Sequence, residues 1–191
     1  MELEKAERLL ALNQRYAAII SHPFADFGKN KIVFGVGNLD SKLLFLGEGP
    51  GAEEDRIGKP FVGQAGQLLT KIIAAMGYAR EQVYITNVIK CRLPNNRPPT
   101  LAEIIYDKQA ILAEELAIIA PKIICCLGAS ALYAILGGEQ KISRSRGQFF
   151  TKDGCLVLPT YHPAYLLRNP AAKSIVWQDM QKIMAKLQDL E

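Results

Sequence analysis

The sequence predicts an α/β fold, a single domain in which helices cover a largely parallel sheet. Three observations lead there. Short apolar runs ending in glycine or a polar turn alternate with stretches of helical spacing, the pattern of strands buried between helices. At 191 residues the chain suits one well-covered domain, and no linker or repeat divides it. Its 49% hydrophobic and 22% charged residues, with 15 Gly and 10 Pro, exclude disordered and collagen-like chains. The domain is expected to span residues 1–191, with 1–32 forming an N-terminal helix and connector.

Residues 2–20 are amphipathic at helical period and stop before His22-Pro23, and 25–38 form an irregular, Gly-containing connector. The run KLLFLG at 42–47 predicts a buried central strand, followed by a long loop at 48–63. Leu68, Leu69, Ile72 and Ile73 give 64–76 a helical stripe that Gly77 can cap. Residues 83–87 predict the next strand, and the Pro- and Asn-rich segment 91–99 another loop. Thr100 and Glu103 form a capping box for a helix through about Ile119, which Pro121 halts. A strand at 122–127 and a short helix from Gly128 to about Leu136 follow. Residues 148–151 and 156–159 predict a strand pair around Asp153-Gly154, and 162–169 and 171–190 predict closing helices. Functional groups belong in the loops after the strands.

The net charge of +4, from 23 Lys+Arg against 19 Asp+Glu, permits a polyanionic partner without requiring one. Lys90, Arg92, Arg97, Lys141, Arg144, Arg146, Lys152, Arg168 and Lys173 fall mostly in expected loops and can meet one surface. The start MELEKAERLL has acids where a signal peptide has bases, and no apolar run approaches the ~20 residues of a membrane span, so a cytoplasmic protein is expected. Cys91, Cys125, Cys126 and Cys155 show no C-x-x-C spacing, and Cys125 and Cys126 in IICCLG suit buried free thiols.

Three loops hold the polar chemistry. The first runs through Gly47-Glu48-Gly49-Pro50-Gly51, the acids Glu53, Glu54 and Asp55, and Pro60-Phe61-Val62-Gly63. Its glycines admit close backbone approach and its carboxylates suit acid/base or water-positioning work; a solvated acidic turn fits equally well. It is neither a dinucleotide fingerprint nor a phosphate loop, since neither G-x-G-x-x-G nor Gly-Lys-Ser/Thr is present. The second, Thr86 to Cys91, offers Asn87, whose amide both donates and accepts and suits a base edge, or its own loop backbone. The third, PTYHPAYLLRNP at 159–170, sets His162 before a helix start, where the ring can face a pocket or serve only locally.

Together, GEGPGAEEDRIGKPFVGQAGQLL near 47–69, TNVIKCRLPNNRPPT at 86–100, and an RG segment followed by PTYHPAYLLRNP resemble the uracil-DNA glycosylase superfamily, in particular its family-four branch. The resemblance runs from about Val33 to Asn169. It implies a three-layer α/β/α sandwich and removal of uracil from DNA by hydrolysis of the N-glycosidic bond, leaving an abasic site. It makes Glu48, His162 and Glu54 the expected catalytic residues, and Gly49, Phe61, Asn87 and Asn96 the expected uracil-binding residues. Glu48 is favoured for orienting water, Glu54 for shaping the pocket against a thymine methyl group. Arg144, Arg146 and Arg168 are expected phosphate contacts, and Leu166 or Leu167 the wedge that fills the gap of a flipped base. Residues 141–147 contain no histidine, unlike a related branch that becomes trapped covalently on its product.

Family-four enzymes carry a four-iron four-sulfur cluster on four cysteines. Here the first C-x-x-C falls at about Ile20 and Pro23 and the last cysteine at about Asp107, leaving only Cys91 in register. No metal or cofactor is therefore expected, with Phe24 and apolar neighbours packing in the cluster's place. The expected partner is uracil-containing DNA, single- or double-stranded, bound by a monomer without a membrane. The alternative is a non-catalytic DNA-binding or DNA-polymerase-accessory protein of the same fold, which the presence of Glu48, Phe61, Asn87 and His162 argues against.

Overall fold

The computed structural model describes residues 2–19, 32–138 and 140–190. Its strands are β1 (Val36–Gly37), β2 (Leu43–Gly47), β3 (Tyr84–Asn87), β4 (Ile123–Leu127), β5 (Phe150–Lys152) and β6 (Cys155–Thr160). They form one sheet in the order β1-β3-β2-β4-β6-β5. The four inner strands are parallel, and the short edges β1 and β5 run antiparallel to β3 and β6.

Every residue of β2 and β4 is buried, so both sides of the sheet need cover. Strand alternation divides the apolar side chains between two cores. Leu44, Leu46, Ile124 and Cys126 pack with α1 (Glu2–Ala17), α4 (Leu101–Asp107), α5 (Ala113–Ile119) and α6 (Ala129–Leu136). Leu43, Phe45, Ile123 and Cys125 pack on the other face with α3 (Gln64–Ala75), α8 (Pro163–Arg168) and α9 (Lys173–Gln188). The result is the expected three-layer sandwich. None of the described helices is long and apolar enough to cross a membrane.

The capping box at Thr100 is present, with the Glu103 amide donating to Thr100 Oγ1 and the Thr100 amide to Glu103 Oε2. One continuous helical stretch follows to Ile119, widened at Lys108–Leu112 where α4 meets α5. The β5–β6 hairpin turns at Asp153 and Gly154, both with positive φ (50° and 78°), as a tight hairpin turn demands.

Several elements differ from expectation. The loop at 48–63 contains α2 (Ala52–Ile57), which buries none of its residues and so lacks an apolar stripe. A further short helix, α7 (Ile142–Ser145), interrupts the basic segment, and β1 lies within the expected connector. Residues 25–31 of that connector, and His22-Pro23 and Phe24 before it, lie outside the described residues. The loop bases do not share one surface: Lys90 is wholly buried, and Arg97 and Arg146 pair with Glu103 and Asp179.

From β2 the chain passes to β3 on one side and then crosses to β4 on the other. The carboxyl ends of β2 and β4 thus border the crevice where the winding reverses, the place where open α/β sheets bind ligands.

Candidate active site

Backbone economy at the end of β2 brings the first two groups together. A Cβ at Gly47 would overlap both the Asn87 amide and the Phe61 ring, so this glycine lets both side chains lie against the strand end. Asn87 ends β3, in register with Gly47, and is 2% exposed. Its Oδ1 is buried and has no hydrogen-bond partner, a cost of about 1–3 kcal/mol if nothing ever fills it. An unanswered acceptor on a residue that lines a crevice suits a donor from a ligand.

Phe61 adopts φ 52°, unusual for a side chain of its size, and needs support from its surroundings. Glu54 supplies much of it. Its Oε1 accepts the Val62 and Gly63 amides at 2.8 and 2.7 Å, and its Oε2 the Gly51 amide at 3.2 Å. Arg80 donates to the Pro60 carbonyl at 2.7 Å. Gly66, where a Cβ would overlap the Phe61 backbone, lets the first turn of α3 press against the same bend.

Glu48 emerges from β2 into the crevice, and its Oε2 accepts the Ser130 hydroxyl at 2.6 Å. Ser130, near the start of α6, sits across the winding reversal and was not anticipated from sequence. The only signal was a serine two residues beyond a strand-ending glycine. Gly128, at φ 91°, turns β4 into α6 close against the Cβ of His162.

His162 caps α8, its Nδ1 accepting the Ala164 amide at 3.1 Å. With Nδ1 an acceptor, the neutral ring carries its proton on Nε2. Burial, helped by the nearby Arg168 cation, lowers the imidazole to about 4, so the ring is neutral at pH 7. It stacks beside Phe61, ring centres 5.6 Å apart at 30°.

Glu48, Gly49, Glu54, Phe61, Asn87, Asn96, His162, Tyr165 and Arg168 line one cavity of about 520 Å³. Another cavity, of about 410 Å³, opens at the amino ends of β4 and β6 among Lys108, Pro121, Lys122, Lys152 and Cys155, without such a convergence of acid, amide and imidazole. Asn96 stands exposed at the rim, its Oδ1 accepting from Arg92 at 2.9 Å. Arg144, Leu167 and Arg168 are exposed. Leu166, by contrast, is 1% exposed in the α8–α9 core, so it cannot be the wedge. Arg146 is likewise committed inward, donating from both Nε and Nη2 to the buried Asp179. The causes differ: spacing alone does not reveal that Leu166 is on the core side of the short α8, and nothing near Arg146 announces a partner 33 positions away.

A doubly wound α/β sheet holding an acid, an unsatisfied amide, an aromatic ring and a neutral imidazole in its crevice defines a pocket for a flat, polar ring. A family model described as the uracil DNA glycosylase superfamily matches residues 34–181, and the chain belongs to that family. It is 46% identical over 158 residues to the type-4 uracil-DNA glycosylase of Thermotoga maritima, covering 81% of this chain and 82% of that protein. Identity to the enzyme of the same name from Saccharolobus solfataricus is 41% over 170 residues, covering 84% of this chain and 78% of that one. With the Archaeoglobus fulgidus type-4 enzyme it is 42% over 164 residues, covering 81% of each.

Proposed function

We propose that this protein flips uracil out of DNA and hydrolyses its N-glycosidic bond, leaving an abasic site. The observation that carries the reading is that Asn87, whose Oδ1 has no hydrogen-bond partner, lines the same cavity as the neutral His162. Uracil presents an N3–H donor and two carbonyl acceptors. Asn87 Oδ1 accepts N3–H while its amide group donates to O4; cytosine, with an acceptor at N3 and a donor at C4, meets like with like. Phe61 stacks on the ring and offsets part of the unstacking cost of a few kcal/mol.

As the bond from C1′ to N1 breaks, the electron pair passes to uracil and spreads to O2, leaving a sugar cation. His162 Nε2–H donates to the growing O2 anion without surrendering its proton. Glu48, with Oε2 held by Ser130, orients a water through Oε1 toward C1′ and takes up its proton as the C–O bond forms. Glu54 suits this poorly, because both its oxygens already serve backbone amides. Exposed Arg168 and Arg144 meet phosphates, and Leu167 enters the vacated stack. A cytoplasmic monomer accepting single- or double-stranded DNA fits this reading.

The residues present do not fit the four-cysteine cluster that the family-four resemblance implies. Cys91 is buried, its thiol pushed up to about 12 by burial and by the nearby Asp107 and Asp55. Asp107, where the last cysteine would fall, instead accepts the Tyr16 hydroxyl at 2.7 Å and the Lys90 amide at 3.0 Å. Cys125 and Cys126 lie in β4 and Cys155 in β6. Positions 20 and 23 lie outside the described residues but hold isoleucine and proline. We therefore read the fold as independent of iron, and stoichiometric iron with visible cluster absorbance would overturn that.

The function is tested with single-stranded and duplex oligonucleotides containing one uracil, treated with alkali to cut abasic sites. Strand scission at the uracil is expected. None on either substrate by folded protein would point to the DNA-binding accessory alternative.

A further inference from the structure

A fully buried ion pair lies behind the uracil pocket, outside its lining. Lys90 and Glu115 are 0% and 1% exposed and pair at 2.6 Å between Nζ and Oε2. The same ammonium donates to Thr86 Oγ1 at 2.7 Å and to the Asn87 carbonyl at 2.8 Å. Glu115 also accepts the hydroxyls of Thr86 and Tyr84. Burying such a pair is not an economical way to gain stability, since apolar residues of similar volume often do as well or better. Something other than stability explains it.

The geometry supplies a reason. The Val88 amide donates to the Gly47 carbonyl at 3.0 Å, on the β2 side. Across a trans peptide the Asn87 carbonyl points the opposite way. There β1 pairs only with Tyr84 and Ile85 and ends short of Asn87, so no strand meets that carbonyl. Lys90 does. The peptide that carries Asn87 is thereby gripped from both sides. Lys90 is itself anchored, its amide donating to Asp107 at 3.0 Å and its carbonyl accepting from Val33 at 2.8 Å. Because Asn87 Oδ1 has no protein partner, the backbone must do much of the aiming of that amide.

We infer that Lys90, held by Glu115, is a positioning residue that fixes the Asn87 peptide so that its amide meets uracil. This rests on the uracil-excising reading. A misplacement of about 1 Å can cost on the order of 100-fold in rate.

The test compares wild type, Lys90→Met, the double variant Lys90→Met/Glu115→Gln, Asn87→Ala, and each Lys90 change combined with Asn87→Ala, in single-turnover excision of uracil from single-stranded DNA. The double variant removes both charges yet leaves a side-chain amide at position 115 able to bond Tyr84 and Thr86. It is expected to melt near wild type and to lose about tenfold or more in rate, with a smaller effect on substrate KM. In the Asn87→Ala background the same changes should cost almost nothing, because a positioning residue has nothing left to position.

Full activity in the double variant, or an equal loss with and without Asn87, would overturn the assignment. Failure of the double variant to fold would also overturn it, placing the pair in the stability of the sheet. Absence of wild-type activity would instead strike at the uracil-excising reading itself.

Discussion

The neutrality of His162 is the most exposed element of the mechanism. Burial lowers the imidazole from its ordinary value near 6.5 to about 4. At about 1.4 kcal/mol per pH unit, this corresponds to about 3 kcal/mol against the charged ring. Protonation would also place a hydrogen on Nδ1 and break the bond from the Ala164 amide. The folded value lies below the unfolded one, so on acidification the unfolded chain takes up this proton first. Above about pH 6.5 the group leaves stability independent of pH; between about 6.5 and 4 stability falls as pH falls, and below about 4 the loss levels off. Urea unfolding of wild type and His162→Ala across that window should show this slope only in wild type. The single-turnover rate should show no imidazole inflection between about pH 5 and 8, and His162→Ala should lose about 100-fold or more. A wild-type inflection near pH 6.5 that disappears in His162→Ala would refute the neutral donor.

The remaining predictions separate residues by role. Glu48→Gln should lower the single-turnover rate by about tenfold or more at unchanged stability, whereas Glu54→Gln should cost about 1–3 kcal/mol in urea unfolding through weakened amide bonds. Leu166→Ala should cost about 2–5 kcal/mol as a cavity in the core, while Leu167→Ala should leave unfolding unchanged and slow excision from duplex more than from single strands. Arg168→Ala should flatten the dependence of DNA binding on salt by about one ion, whereas Arg146→Ala should cost about 3 kcal/mol of stability by stranding Asp179, measured by binding titrations and unfolding.

What the sequence revealed followed from periodicity and spacing. Runs such as KLLFLG and IICCLG are apolar at every position because their strands are covered on both faces, and Thr100 with Glu103 marks its helix by direct bonding. The three polar loops also met as expected, since each follows a parallel strand whose carboxyl end borders the crevice. Other features depend on contacts distant in sequence. Nothing near Ser130 announces a bond to Glu48 across 82 positions, and nothing near Lys90 announces burial against Glu115. Charge counting put Lys90 and Arg146 on the surface because lone bases usually belong there; their partners, Glu115 and Asp179, come from helices packed on opposite faces of the sheet.

Those inward acids follow a common logic. Beyond the carboxyl ends of parallel strands the ladder stops, and loops that must hold fixed groups lose their regular hydrogen bonds. Each pocket group also carries a local liability: Asn87 an unsatisfied oxygen, Phe61 a positive φ, His162 a desolvated ring. Each has a carboxylate nearby that ties its backbone or its strand. Glu54 bonds the amides after Phe61, Glu115 with Lys90 grips the Asn87 peptide, and Asp179 accepts from Thr160 at 2.7 Å, two residues before His162. Charge-assisted bonds are the stronger kind, and one carboxylate can accept several donors at once. The described acids around the site therefore divide in role: Glu54, Glu115 and Asp179 hold the groups that line the pocket, which leaves Glu48 as the acid we propose for the substrate water.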